Sequence, residues 1–344
     1  MTAPAPSSPV RVLVVDDSAA MRAVLRAVLS ADPDIEVVGG APEPHAAREM
    51  IKTLDPDVLT LDVEMPGMDG LSFLERLMRL RPMPVVMCST LTARGAEVSV
   101  EALRLGAVDC IAKPAGGVRE LARAGQVLRE TVKAASRARP RAPSAVKPVT
   151  AGNLRDNCVI AIGASTGGVE ALFAVLSALP ANCPPVLIVQ HMPAAFTAGF
   201  AARLDRLCPM HVVEAVDGTA IEPGTAYVAP GGRHMGLVHG RIRLSDAAPV
   251  SGHRPSVDYL FGSIAPLGAR ATGVILTGMG ADGAAGLRAM RDAGARTLGQ
   301  NEASCIVYGM PRVARAAGGV EHEHHLNALP KAILSACQTI ERER

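Results

Sequence analysis

Short apolar runs alternate with segments of helical period along this chain, and that rhythm constrains the fold more than any other feature. The runs are Val10–Val15, Ile35–Val38, Val58–Leu61, Pro84–Cys88 and Val108–Ile111. Between them lie Met21–Leu29, Ala46–Leu54, Leu71–Leu80 and Val98–Leu105, with Val118–Val132 closing the set. Continuous apolar runs read as strands buried on both faces, and strands that alternate with helices build parallel sheets. The first 133 residues are therefore expected to form a five-stranded, doubly wound parallel sheet.

The rhythm lapses from Thr131 to Asn157. Arg139-Pro140-Arg141-Ala142-Pro143 and Lys147-Pro148 block helix and strand alike, and six basic residues there meet only Asp156. This stretch reads as a solvated interdomain linker, giving a domain over 10–133, a linker over 134–155 and a second domain over 156–344. A length of 344 residues suits two cores. The second half resumes with Val159–Ile162, Val169–Leu179, Val186–Gln190, Phe196–Leu204, Val274–Thr277 and Gly286–Ala293. Thr225–Ala229, Met235–Val238 and Arg241–Leu244 add short strands, the last two forming a hairpin around His239-Gly240. A doubly wound, mostly parallel α/β domain with a β-hairpin is expected, its sheet mixed.

Composition excludes several classes. A net charge of +2 offers no case for nucleic acid or a membrane surface as main partner. Seven scattered cysteines without a CxxC pair suit idle thiols in a reducing compartment. No apolar run approaches membrane-spanning length, and Met1–Pro9 lacks the basic start and apolar core of a signal peptide. The expectation is a soluble, cytoplasmic, monomeric protein.

Chemistry gathers at the strand ends. Asp16 and Asp17 end the first strand, Asp62 the third, Ser89 the fourth and Lys113-Pro114 the fifth. Carboxyl ends of parallel strands share one crevice. Three carboxylates there repel one another unless a cation joins them, and an oxygen-only ligand set favours Mg²⁺. Asp62 can then accept a phosphoryl group while Ser89 and Lys113 receive its oxygens. Helix capping would explain Asp17-Ser18 but neither Asp62 nor Lys113. Val12-Leu13-Val14-Val15-Asp16-Asp17-Ser18, Leu61-Asp62-Val63-Glu64-Met65-Pro66-Gly67-Met68-Asp69-Gly70 and Ala112-Lys113-Pro114 resemble the response-regulator receiver domain. The resemblance implies a flavodoxin-like receiver with Asp62 as phosphoacceptor, Asp16, Asp17 and Asp62 around the metal, and Ser89 and Lys113 sensing phosphate. It departs at Cys110, where many receivers carry an aromatic switch residue.

In the second half, Gly163-Ala164-Ser165-Thr166-Gly167-Gly168 joins a strand to a helix. A serine there meets unpaired N–H groups and the positive end of a helix dipole. It can be a nucleophile or part of a phosphate-cradling loop. His191, at the end of Val186–Gln190, offers a base. Asp282, in the turn Gly278-Met279-Gly280-Ala281-Asp282-Gly283, offers an orienting acid, although it could equally cap the following helix. A phosphate loop needs neither. The Ser–His–Asp order differs from that of α/β-hydrolases. His211, His234, His239 and His253 fall in or beside hairpins and loops, with less positional constraint. Glu321-His322-Glu323-His324-His325 reads as a solvated turn before a helix over Leu326–Ile340 rather than a metal site.

Ile162 to Gly168, Gln190-His191-Met192-Pro193, Leu276 to Gly283 and Gln300-Asn301-Glu302-Ala303-Ser304-Cys305 resemble the bacterial chemotaxis protein-glutamate methylesterases, over nearly the full length. The resemblance implies Ser165, His191 and Asp282 as a triad with Thr166 and Met279 at the site margin. It implies a phosphorylation-activated serine esterase acting on glutamate γ-methyl esters of methyl-accepting chemoreceptors, and deamidating specific receptor glutamines. A chemotaxis-type histidine kinase would be the phosphodonor. Mg²⁺ belongs to the receiver, and ester hydrolysis requires no cofactor. An unphosphorylated receiver over the triad would block a protein substrate. The alternatives are a related regulator of another signalling system and a phospho-regulated binding module without catalysis.

Overall fold

The computed structural model describes residues 8–63, 65, 70–89, 98, 101–114, 118–138, 148–150, 154–155 and 157–338. The chain divides into two compact units, Met1–Ala142 and Pro143–Arg344.

The first unit carries β1 (Val10–Val15), α1 (Ala19–Leu29), β2 (Ile35–Ala41), α2 (Pro44–Leu54), β3 (Val58–Asp62), α3 (Gly70–Leu80), β4 (Val85–Ser89), β5 (Asp109–Ala112) and α4 (Val118–Ser136). Its five strands pair in parallel in the order β2-β1-β3-β4-β5. Val12 to Val15 and Val85 to Cys88 are at most 1% exposed, as strands covered on both faces require. β2 lies on one side of β1 and β3 on the other, so the crevice opens between the ends of β1 and β3. Of the helix expected over Val98–Leu105, residues 98 and 101–104 are helical and 99–100 lie outside the described residues, as does most of Glu64–Asp69.

The second unit contains β6 (Val159–Ala164), α5 (Gly168–Leu176), β7 (Val186–Gln190), α6 (Ala194–Leu207), β8 (His211–Glu214), β9 (Thr225–Val228), β10 (His234–Val238), β11 (Arg241–Ser245) and α7 (Val257–Ile264). β12 (Ala271–Ile275), α8 (Ala284–Asp292), β13 (Arg296–Gln300), α9 (Met310–Ala316), β14 (His322–His324) and α10 (Leu329–Ala336) complete it. Seven strands pair in the order β14-β13-β12-β6-β7-β9-β8, all parallel. The expected mixed sheet is corrected here, because the antiparallel pair β10–β11 stands apart as a two-stranded ribbon. His239 and Gly240 turn that ribbon with φ of 49° and 72°, the left-handed pair that a two-residue hairpin loop demands.

One face of the main sheet packs Val159, Ala161, Leu187 and Val189 against Leu260, Phe261 and Leu287 of α7 and α8 and Met235 of the hairpin. These alternate positions point to one side of their strands. Each fully buried aliphatic side chain contributes about 1.5–3 kcal/mol. All seven cysteines are free thiols.

Two expectations near the termini change. Three residues of the linker are docked rather than solvated: Val149 donates to Ala178, Leu154 bridges to Gln338, and Arg155 donates to Cys337. The histidine-rich segment is a strand, not a turn, with His322 and His324 registered beside Leu298 and Gln300. A 3₁₀ turn over Leu326–Ala328 follows, and the helix begins only at Leu329, where Pro330 suits a first turn.

Candidate active site

β6 lies between β7 and β12, so the chain leaves β6 towards one side of the sheet and returns on the other. At such a switch a crevice opens beyond the carboxyl ends of the strands. Ser165, His191 and Asp282 each follow one of these three adjacent strands. Main-chain bonds lock the strand ends together: Ser165 N–H donates to Thr277 O at 3.1 Å, and His191 N–H to Ala164 O at 3.1 Å. The Ser165 carbonyl accepts from Gly168 N–H and from the Gln190 amide.

The approach is close enough to dictate glycine. A Cβ on Gly278 would stand 2.3 Å from Met310 Sδ and 2.7 Å from Ser165 Cβ. A Cβ on Gly168 would stand 2.1 Å from Gln190 Oε1. Thr166 is buried, with its carbonyl held by Thr277 Oγ1 at 3.0 Å. Among the described residues no acceptor takes the N–H of Thr166 or of Met279.

Asp282 is 1% exposed and does not cap the helix that follows it. Gly283 occupies that position, without a side-chain cap. The carboxylate instead holds the N-terminus of α7, accepting from Val257 N–H at 2.8 Å, Asp258 N–H at 2.9 Å and Ser256 Oγ at 2.7 Å. His191 Nε2 lies 2.8 Å from its Oδ2. Burial pushes this acid up, but the hydrogen bond and charge of His191, with the bonds from Asp258 and Ser256, leave its pKa below 3.8. Asp258, in the first turn of α7, in turn accepts from Gly286 N–H in the first turn of α8, so the N-terminal regions of the two helices hold one another.

Because an ionised carboxylate only accepts, Nε2 of His191 carries a proton, and in the neutral ring the lone pair is then on Nδ1. That Nδ1 is buried and has no hydrogen-bond partner. The structure thus joins the imidazole to the carboxylate and leaves the Ser165 hydroxyl unbonded to the ring. A second ring fixes the first: His253 stacks on His191 with centroids 3.8 Å apart and planes at 3°. Its own Nδ1 is tied to Ser251 O at 2.8 Å, inside a turn where Ser251 and Gly252 take positive φ. His191, His253 and Asp282 place ligand atoms within 4.8 Å of one another. Parallel rings do not aim their in-plane lone pairs at one ion, so the stack serves orientation better than metal binding.

Behind the carboxylate, buried His234 accepts from Ser256 N–H at 3.3 Å and contacts Ala248 O through Nε2 at 3.1 Å. Ser256 was not singled out in the sequence, and His253 and His234 were set aside there as less constrained than His191. Their only signal was a Ser or His in loops between recognisable elements.

In the first unit, Asp16, Asp17 and Asp62 place carboxylate oxygens within 4.8 Å of one another. Lys113 Nζ lies 2.8 Å from Asp16 and 2.7 Å from Asp62. Burial pulls the Lys113 ammonium down, and its hydrogen bonds to the two acids overcome this, leaving its pKa raised. Ser89 is buried at the end of β4, its carbonyl accepting from Lys113 N–H at 2.9 Å. Ser18, not Asp17, caps α1. Asp17 therefore remains exposed at the crevice.

Comparison with known proteins agrees with both halves. The profile of the CheB methylesterase family matches residues 160–333, and that of the response regulator receiver domain matches residues 12–124. The protein-glutamate methylesterase/protein-glutamine glutaminase 1 of Caulobacter vibrioides is 56% identical over 335 residues, covering 94% of this chain and 97% of its own. The Salmonella typhimurium protein-glutamate methylesterase/protein-glutamine glutaminase is 51% identical, covering 95% and 97%. The crystal structure of the Thermotoga maritima CheB methylesterase catalytic domain superposes with a TM-score of 0.50 at 31% identity, covering 54% of this chain and 98% of that one. The chain belongs to the CheB methylesterase family and carries a response regulator receiver domain ahead of its catalytic half.

Proposed function

We propose that this protein is a phosphorylation-activated esterase that removes methyl groups from glutamate γ-methyl esters of chemoreceptors and deamidates receptor glutamines. Its working parts are a receiver over residues 10–133, a linker over 134–155 and a catalytic domain over 156–344. The observation that carries the reading is the 2.8 Å pair between His191 and Asp282, with Nδ1 of the same ring buried and unpartnered, on a strand end whose backbone is bonded to the residue before Ser165.

Ser165 Oγ attacks the ester carbonyl carbon while His191 Nδ1 takes its proton. The oxyanion is stabilised by the backbone N–H groups of Thr166 and Met279. Methanol leaves with the proton from Nδ1. Water, deprotonated by the same nitrogen, then cleaves the acyl-enzyme to give carboxylate and restore Ser165. A glutamine substrate follows the same route with ammonia as leaving group. Asp282 holds the Nε2 proton in place and stabilises the imidazolium. Hydrogen bonds of this kind tighten when substrate arrives, in keeping with a serine hydroxyl unbonded beforehand.

In the receiver, Asp16, Asp17 and Asp62 would hold Mg²⁺, whose charge neutralises the carboxylates and an incoming phosphate. The acid cluster fits such an ion: its donors are all oxygens, and they lie within 4.8 Å of one another. Asp62 accepts the phosphoryl group from a histidine kinase, and Lys113 and Ser89 contact its oxygens. The modification adds about −1.5 to −2 charges.

Methanol release from methylated receptor fragments tests the reading. Ser165→Ala should bind receptor normally and lose turnover by about 10³-fold or more. Unchanged turnover would reject the triad, and equal turnover with and without a small phosphodonor would reject activation.

A further inference from the structure

The second unit has a cavity of about 500 Å³ at the entry ends of β12 and β13, away from the loops that carry Ser165, His191 and Asp282. Arg155, Arg296, Lys331, His322 and His324 line it, with Leu298 and the alanines of α10 as an apolar wall. The two-residue period places Arg296 and Leu298 on one side of β13, and His322 and His324 together on β14. Their imidazole centroids are 6.3 Å apart. Arg155 crosses the end of the sheet, donating through Nη1 to Ala269 O at 2.6 Å and through Nη2 to Ala336 O. Its Nε is sealed from solvent and has no hydrogen-bond partner.

No carboxylate lines the cavity among the described residues. Glu321, beside it, stands 2.8 Å from Arg296 Nε without the alignment of a hydrogen bond, and 3.7 Å from His322. Three permanent cations thus face one acid. Burial, and then His322, hold His324 below its ordinary value.

We propose that this cavity binds a small polyanion bearing two or more neighbouring phosphate or carboxylate groups. Guanidinium and ammonium donate and never accept, so they select groups made only of acceptors. Arg296 and Lys331 offer the donors for such oxygens, while Arg155, tied to two carbonyls, adds a fixed positive charge behind them. The volume falls within the small-molecule range of about 300–1,000 Å³. A bound anion would tie together Arg155, the β13–β14 edge and α10, and so raise the unfolding temperature of the catalytic unit.

Calorimetric titration of the full chain, in EDTA and at constant ionic strength, tests this with pyrophosphate and with citrate as probes. Saturable one-to-one binding below the millimolar range is expected for at least one of them. Pyrophosphate alone would identify phosphate as the group recognised, citrate alone carboxylate. The double variant Arg296→Gln/Lys331→Gln, both partners being surface side chains, should bind about tenfold or more weakly and release methanol at the wild-type rate. Lys331→Glu provides a second variant with the same expected loss. Absence of saturation by either probe up to about 10 mM, or undiminished binding in both variants, would overturn the proposal.

Discussion

Asp282 has two occupations, and its substitution separates them from those of its neighbours. Asp282→Asn keeps the size but turns one oxygen into a donor facing His191 or the N-terminus of α7. Methanol release should fall by about 10⁴-fold, because the imidazole loses both its tautomer and its counter-charge. Thermal unfolding of the same variant should show a loss of about 1–3 kcal/mol, since buried N–H groups lose their acceptor. The carboxyl pKa is lower in the folded chain than its ordinary 3.8. Its contribution to stability is therefore complete above the unfolded value and disappears as pH falls through the folded one. Urea unfolding of Asp282→Asn between about pH 2 and 5 should consequently show less acid sensitivity than the parent. His253→Ala removes the ring stacked on His191 and leaves the His191–Asp282 bond intact. A drop in kcat of about tenfold with little change in KM is expected from a ring free to tilt. Ser165, His191 and Asp282 were legible because each follows a strand. His253 was not, since only the turn at Ser251-Gly252 brings its ring over His191.

At the scale of elements, the crevice depends on loops that touch through their backbones. Gly278→Ala should leave the far-UV spectrum unchanged and lower methanol release by about 10²-fold, because its methyl group must push Ser165 or Met310 aside. Unaltered activity would mean that the Ser165 turn tolerates displacement. Gly163 is under similar pressure, as a Cβ there would lie 2.2 Å from Val257. Overpacking at that point should lower stability by about 1–3 kcal/mol. The strands that flank the crevice were readable from their apolar runs, β6, β7 and β12 above all. β13, Arg-Thr-Leu-Gly-Gln, and β14, His-Glu-His, offered no such run. They are strands because the parallel ladder beside β12 supplies hydrogen bonds that local composition does not foretell. The mixed sheet was expected for a related reason: a hairpin is visible in sequence, but not whether its edge joins another sheet.

For the whole molecule, metal and phosphate are the levers. Chelation of divalent ions should abolish phosphorylation of Asp62 by a small phosphodonor while leaving unstimulated methanol release unchanged. Loss of both together would place a metal requirement in the catalytic half. Lys113 has a raised pKa, so its ion pairs support the receiver fully below the unfolded lysine value and fade as pH climbs through the folded one. Receiver unfolding followed between about pH 10 and 12 should show that fade in the parent and not in Lys113→Met. The two-domain plan was apparent from the interrupted rhythm. The docking of Val149, Leu154 and Arg155 onto the second unit was not, because Pro- and Arg-rich composition reports solubility and says little about which carbonyls lie within reach.

The way Asp282 and Asp258 hold the N-terminal regions of α7 and α8 together bears on how an inactive reference protein should be prepared. A lesion at position 282 would expose the chain to cellular proteases as well as silence it, so a missing phenotype could reflect low abundance. Removing the hydroxyl of Ser165 touches neither helix terminus, which makes it the cleaner choice for trapping substrate in vivo.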